Sequence, residues 1–343
     1  MNLFLIQHWK KEMPYIVDIR NVTVSYRENV ALHNVSLSVE EGELVAIAGP
    51  NGAGKTTTIN MLSTLLNPTS GYARVAGYDI LKERDGVRRS IGIVFQEPAL
   101  DNKLTGRENL EFHAMMYGMN KEERKRRINE VLKLVELSDK ADVLVENYSG
   151  GMKRRLEIAR GLIHKPKVLF LDEPTLGLDA QTRRHIWNYI KKLNKESNIT
   201  IILTTHYMEE ADYLCDRVAI IDYGKIIAMD TPKNLKDRLG GDVITFEIGE
   251  RTDEFMDVIG KLRFVKSVKK HDGKLTVTVE RGEKRIPELI SMAQKKGVNV
   301  KSVSLHKPSL EDVFLYFTGR TIREKEASQK ERNMEFARRR FGR

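Results

Sequence analysis

The run GPNGAGKT at 49–56 places three glycines, a lysine and a threonine at the spacing of a phosphate-binding loop. Glycines let backbone approach an anion closely. The N–H groups of Asn51, Gly52, Ala53, Gly54 and Lys55 are therefore expected to surround the terminal phosphates of a nucleotide. Lys55 adds a point charge and Thr56 a hydroxyl for Mg2+, with Thr57 next in the same turn. A second run, KVLFLDEP at 167–174, brings four apolar residues to Asp172 and Glu173. Asp172 suits Mg2+, directly or through water, and Glu173 is placed to orient or deprotonate an attacking water. A third run, YSGGMKRRLEIARG at 148–161, opens a basic amphipathic helix on Ser149, Gly150 and Gly151. It too can grip an anion, through free N–H groups at a helix start, but it lacks the lysine–threonine pair that would let it hold a nucleotide alone.

These residues need particular elements beneath them. The loop at 49–56 follows an apolar strand, ELVAIAG, and precedes a helix, TTTINMLSTLL. Residues 15–95 read mainly as strands punctuated by glycine and asparagine, and 98–163 as mostly helical. Strands and helices then alternate through KVLFLDEP, AQTRRHIWNYIKKLNKE, ITIILTTH, MEEADYLCD and RVAIID. The apolar strands show no polar alternation, which predicts a parallel sheet with helices on both faces and ligands at the C-terminal strand ends. After residue 240 the order becomes βαββαβ, the split arrangement of ferredoxin-like domains. A final helix follows KPSLEDVFLYF, with Ser309 and Asp312 as a capping box. The expected fold is α/β: a RecA-like P-loop NTPase core with antiparallel β and helical subdomains, plus a small C-terminal α+β ferredoxin-like domain. The expected divisions are an extension at 1–14, a nucleotide-binding unit at 15–240 (helical part about 98–163), an accessory unit at 241–320 and a basic tail at 321–343.

The set of motifs resembles the nucleotide-binding subunit of ABC transporters over about residues 15–240. Within that resemblance, YSGGM is similar to the family signature, Gln96 in GIVFQEP to its Q-loop and GLDA at 177–180, with Asp179, to its D-loop. His206 in ILTTH is similar to the switch histidine, and Tyr26 to the aromatic residue that stacks on adenine. The signature departs from the commoner Leu-Ser-Gly-Gly-Gln at Tyr148 and Met152. KPSLEDVFLYFTGR at 307–320 and LTGRENLEF at 104–112 resemble the daunorubicin-resistance type, which serves exporters of drugs, antibiotics or lipids.

The resemblance implies an ATPase using ATP and Mg2+. Two copies would close head to tail. One copy would hold ATP with Tyr26, the loop at 51–57 and Mg2+ at Thr56, Asp172 and Gln96. The other would cap the γ-phosphate with Ser149, Gly150 and Gly151, and Asp179 would reach across the interface. Glu173, His206 and Gln96 would be the catalytic set. A separate transmembrane permease subunit would dock on 98–148, so the chain would work at the cytoplasmic face of the cell membrane, touching the membrane only through that partner.

Composition limits the alternatives. The longest apolar runs are of strand length, well short of the roughly 20 residues that span a bilayer. The single cysteine, Cys215, excludes an internal disulfide and reads as core filler in a reducing compartment. The net charge of +10 admits nucleic acid or anionic lipid, yet part of it lies in the tail at 321–343, which reads as a solvated segment. No nucleic-acid partner is expected. A DNA-acting relative would insert a long coiled coil between loop and signature, whereas fewer than a hundred residues separate Thr56 from Ser149. A ribosome-bound factor would carry two cassettes in one chain. Lys55, Glu173 and His206 together argue against a cassette kept only as scaffold.

Overall fold

A computed structural model describes residues 15–26, 29–248, 252–271 and 274–319. The expected N-terminal extension, the basic tail and the turn at 272–273 lie outside the described residues. A twisted sheet of six strands carries the molecule's centre, in the order β10-β9-β3-β8-β7-β6. Its strands are β3 (Leu44–Ala48), β6 (Ile91–Val94), β7 (Val168–Asp172), β8 (Thr200–Thr205), β9 (Arg217–Asp222) and β10 (Lys225–Asp230). The pairings among β6, β7, β8, β3 and β9 are parallel, and only β10 runs antiparallel.

The apolar strands are covered on both faces, as their lack of alternation predicts. Every residue of β3, β7 and β8 is buried. Side chains alternate between two cores. Val45, Ile47, Val168 and Phe170 join one that includes the small antiparallel sheet. Leu44, Ala46, Leu169 and Leu171 join the other, with the helices. The small sheet, order β2-β1-β4-β5, is built from β1 (Tyr15–Tyr26), β2 (Asn29–Glu40), β4 (Ser70–Val75) and β5 (Tyr78–Asp79).

Helices α1 (Lys55–Leu62) and α2 (Arg84–Ser90) complete that half. The sequence reading gave no helix at α2, a seven-residue element interrupted by Gly86, whose low helix propensity hides it. The glycine is required by contact, since a Cβ there would lie 2.4 Å from the Tyr78 ring. The opposite half holds α3 (Gly106–Met116), α4 (Lys121–Leu134), α5 (Gly150–Leu162), α6 (Ala180–Ser197), α7 (Met208–Leu214) and α8 (Pro232–Asp237).

The segment from 242 forms β11 (Asp242–Ile248), α9 (Thr252–Ile259), β12 (Val265–His271), β13 (Lys274–Val279), α10 (Gly282–Lys295) and β14 (Val300–His306). The sheet order β12-β13-β11-β14, antiparallel at every pairing, is the ferredoxin-like one. Its own core centres on Phe246, Phe255, Val277 and Leu289. The last helix, α11 (Leu310–Thr318), leaves this core. Its Leu310, Val313 and Phe314 join Leu235, Leu239 and Val243 in the core of the helical half. The expected capping box is present: Ser309 accepts from the Asp312 N–H while the Asp312 carboxylate accepts from the Ser309 N–H at 2.8 Å.

Candidate nucleotide site

The loop after β3 is anchored before it turns. The Gly49 N–H donates to Thr205 O at 3.1 Å, and a Cβ at Gly49 would lie 2.2 Å from Ile221 O, so no side chain fits. Gly54 caps α1 at φ +107 with no side-chain cap, which leaves the first-turn N–H groups facing outward for an anion. One expected donor is used otherwise: the Ala53 N–H closes the loop on Pro50 O at 3.2 Å, and Ala53 itself is buried.

Lys55 is 5% exposed, and its ammonium donates to Gly49 O at 2.9 Å and Pro50 O at 3.2 Å. It also pairs with Glu173 at 3.1 Å. Thr56 Oγ1 donates to Asp172 Oδ1 at 3.2 Å, and the Thr204 hydroxyl donates to the same oxygen. Thr57 is half-buried in the next position. Glu173 sits at φ +48, its N–H bonded to Thr204, and its carboxylate meets His206 Nδ1 at 2.6 Å. Burial pushes that carboxyl up, but the His206 hydrogen bond and the Lys55 charge outweigh it and hold the group below its ordinary value. A charged carboxylate at the end of β7 suits a group that must polarise water.

Residues distant in sequence are thus brought together from three strand ends, those of β3, β7 and β8. Gln96 lies two residues past β6, beside β7, exposed and not hydrogen-bonded to Thr56 or Asp172. Tyr26 is 48% exposed at the end of β1. The hairpin that carries it borders the loop: Leu32, which faces Val24, lies where a Cβ on Gly54 would meet it.

The signature residues face elsewhere. The Ser149 hydroxyl caps α5 by accepting from the Met152 N–H at 3.3 Å. A Cβ on Gly151 would lie 2.7 Å from Thr182 Cγ2, so this glycine lets α5 meet α6 closely. Asp179 caps α6, accepting from the Thr182 N–H at 2.9 Å. Ser149, Gly150 and Asp179 form one exposed edge, and no hydrogen bond among the described residues joins Ser149 to the phosphate loop. Tyr148 points away from this edge; its hydroxyl donates to Lys140 O at 2.6 Å inside the helical subdomain. Sequence reading missed Thr204, which holds Asp172 and Glu173 together, and Arg154, whose guanidinium reaches the backbone on both sides of Glu173. Thr204 carried a weak signal as a hydroxyl two residues before His206 in an apolar strand.

The helical subdomain opens a groove of about 450 Å³ between Phe95, Phe112, His113, Met116, Tyr117 and Arg160. Phe112 and Met116 are 63% and 71% exposed at its mouth. Among the described residues no helix is long and apolar enough to cross a membrane.

A Gly-rich loop between β3 and α1, with acidic residues at the end of β7, one strand removed across β8, defines a P-loop nucleoside triphosphatase. A sequence model described as ABC transporter matches residues 32–176, and one for the DrrA1-3-like ATP-binding protein C-terminal domain matches 231–318. The linearmycin resistance ATP-binding protein LnrL of Bacillus subtilis is 42% identical over 312 residues, 90% of this chain and 100% of that one. The daunorubicin resistance ATP-binding protein DrrA2 of Streptomyces coeruleorubidus is 38% identical, over 92% and 98% respectively. The dimeric post-hydrolysis ATP-binding cassette MJ0796, bound to ADP and Pi, superposes with a TM-score of 0.56 at 35% identity, covering 63% of this chain and 98% of that one. CbiO1 of Clostridium perfringens, part of the cbiONQ transporter complex, gives 0.62 at 29%, covering 73% and 96%. The chain belongs to the ABC transporter ATP-binding subunits, of the daunorubicin-resistance type. It is an ATPase coupled to transport through a separate permease; cassettes of this family dimerise and work with membrane subunits.

Proposed function

We propose that this chain powers the export of drugs, antibiotics or lipids by closing head to tail with a second copy around ATP. The observation that carries this reading is the split of the anion-binding groups. Lys55, Thr56, Asp172, Glu173 and His206 converge at one edge of the sheet, whereas Ser149 and Gly150 are exposed on another. A second molecule would supply the missing cap.

In this reading Tyr26 stacks on adenine and the N–H groups of residues 51, 52 and 54–57 hold the phosphates, with Lys55 balancing their charge. Glu173 takes the proton of the attacking water, and His206 both steadies Glu173 and contacts the γ-phosphate. Mg2+ fits the donor set, because hydroxyl and carboxylate oxygens from Thr56 and Asp172 already converge and hard oxygens are what it prefers. Gln96 would complete that set. When bound, the ion neutralises charge on the phosphates. Asp179 would meet the partner across the interface.

The exposed groove at Phe112 and Met116 is the docking place for a cytoplasmic segment of the permease, which would hold the chain at the inner face of the membrane. The unit at 241–320 is an accessory domain anchored through α11. The test is Glu173→Gln. It should leave ATP binding intact, abolish turnover, and accumulate an ATP-dependent dimer on size-exclusion chromatography. Hydrolysis near the normal rate would overturn the base assignment, and a strict monomer with bound ATP would overturn the paired site.

A further inference from the structure

Along α5 three charged residues recur at helical spacing on a buried face: Arg154, Glu157 and Arg160. Arg154 and Glu157 are 7% and 1% exposed. Such charges are rarely enclosed unless every donor is used. Here they are used on backbone. Arg154 Nε donates to Pro174 O at 2.8 Å and Nη2 to Asp172 O at 2.9 Å, so the guanidinium grips the carbonyls on either side of Glu173. Its Nη1 donates to Phe95 O at 2.7 Å and to Glu157 Oε2 at 3.0 Å. Glu157 Oε1 accepts from the Ala99 N–H at 2.8 Å, and Arg160 donates to Ala99 O at 2.5 Å. Both ends of the loop that carries Gln96 are therefore fastened to the same helix that fastens the backbone of Glu173.

Two features make this more than packing. Glu173 sits at φ +48, a conformation an L-residue holds only when its surroundings impose it. Arg154 holds the carbonyl of the peptide that leads into this residue, that of Asp172, and the Pro174 carbonyl one peptide beyond it. Second, α5 is capped by Ser149, five residues before Arg154, about 7.5 Å away along the helix axis. A planar five-donor guanidinium transmits a displacement of the helix to three carbonyls while keeping Glu157, four acceptors in all, one more than the donors of a lysine ammonium.

We infer that Arg154 is a positioning residue that ties the signature helix to Glu173, so that engagement of one ATP at Ser149 sets the catalytic carboxylate for the other ATP. The two nucleotide sites of the pair are then coupled through each chain by a single side chain, and Gln96 is drawn into the same unit through Phe95 and Ala99. This inference rests on the paired reading above.

The test compares wild type, Arg154→Lys and the charge-neutral double variant Arg154→Gln/Glu157→Gln as purified full chains, the double variant avoiding an unpaired buried carboxylate. Steady-state hydrolysis against ATP concentration should show kcat lowered at least about tenfold in both, since small misplacement of a reacting group has effects of that size or larger. The apparent ATP affinity should stay within about twofold, and the Hill coefficient should fall from near 2 toward 1. Loss of kcat and of ATP affinity together, with cooperativity unchanged, would mark a merely structural residue and overturn the inference. So would wild-type kcat and cooperativity in Arg154→Lys. Glu173→Gln and Glu173→Gln/Arg154→Lys are run beside them on size-exclusion chromatography with ATP. Dimers in both are expected. If Glu173→Gln alone stays monomeric, the paired reading fails. If it dimerises while Arg154→Lys turns over normally, only the assignment of Arg154 falls.

Discussion

The ion pair between Lys55 and Glu173 has to open before phosphates can take the lysine, so it opposes nucleotide binding. The two groups stand 3.1 Å apart, each 5% exposed at the side chain. At an effective dielectric constant near 20 the bare attraction is about 5 kcal/mol. Most of that is offset by the desolvation both groups already bear, and the Lys55 ammonium keeps Gly49 O and Pro50 O when the carboxylate is neutralised. A net opposition of about 1 kcal/mol remains, so Glu173→Gln should bind ATP about fivefold more tightly. Repulsion between Glu173 and the γ-phosphate acts in the same direction. Dimer formation would also tighten binding, and it has to be removed. The comparison is therefore Ser149→Arg against Ser149→Arg/Glu173→Gln by isothermal titration calorimetry with ATP and Mg2+. Without nucleotide, the double variant should also melt earlier, because a buried ammonium has lost one partner; on saturation with ATP the gap should close. Equal or weaker ATP affinity in the double variant would refute the claim that the pair holds the empty site shut.

Three further outcomes are expected. Gly92→Ala would put a Cβ 2.1 Å from Gly161 O, where β6 meets α5, and should lower unfolding free energy by about 1–3 kcal/mol in a urea titration. Tyr148→Leu restores the commoner signature residue and should keep ATPase activity while losing about 1 kcal/mol with the hydrogen bond to Lys140 O, because the ring faces the subdomain and not the nucleotide edge. His306 is raised by its hydrogen bond to Asp312, and Asp312 is held low: burial pushes it up, but His306 and Ser309 prevail. A raised histidine stabilises below its ordinary value and loses that as pH rises through the folded value. A lowered carboxylate stabilises above its ordinary value and loses that as pH falls. Melting temperature should then gain most from this pair between about pH 4 and pH 6.5, and His306→Gln should flatten the basic limb.

Much of the core was legible because its constraints are local. Apolar strands without alternation announced a doubly covered sheet, and a glycine-rich loop between strand and helix announced the phosphate grip. The βαββαβ order was readable for the same reason, since each element carries its own period. What stayed hidden depends on contacts across the chain. Gly86 disguised α2 because its reason for being glycine is Tyr78, a partner on another element. Ala53 turned its N–H inward because the loop closes on Pro50. Helix α11 read as the end of the accessory unit, yet it packs beside Leu235 and Leu239, which a sequence period cannot reveal. Arg154 read only as one basic residue among several in an amphipathic helix; the fold shows it enclosed between three carbonyls.

Two anion grips on one chain would serve different nucleotides in the proposed pair if the sheet keeps them apart, and its construction does. The phosphate loop follows β3, while α5 packs against β6, with β8 and β7 between them. Strand spacing puts about 14 Å between β3 and β6. Helix α5 is not free to swing across that gap. Gly151 lies against Thr182, Gly150 against Leu178, and Arg154 is bonded to Phe95, Asp172 and Pro174. Carrying Ser149 to the chain's own loop would break all of these and bury nothing in return. In the proposed pair a second copy would bring its loop to Ser149 with none of them disturbed. The same bonds that oppose the intramolecular site would make α5 a stiff connection between the partner's ATP and the chain's own Glu173, so the rigidity that favours pairing is also what would let the pair act in concert.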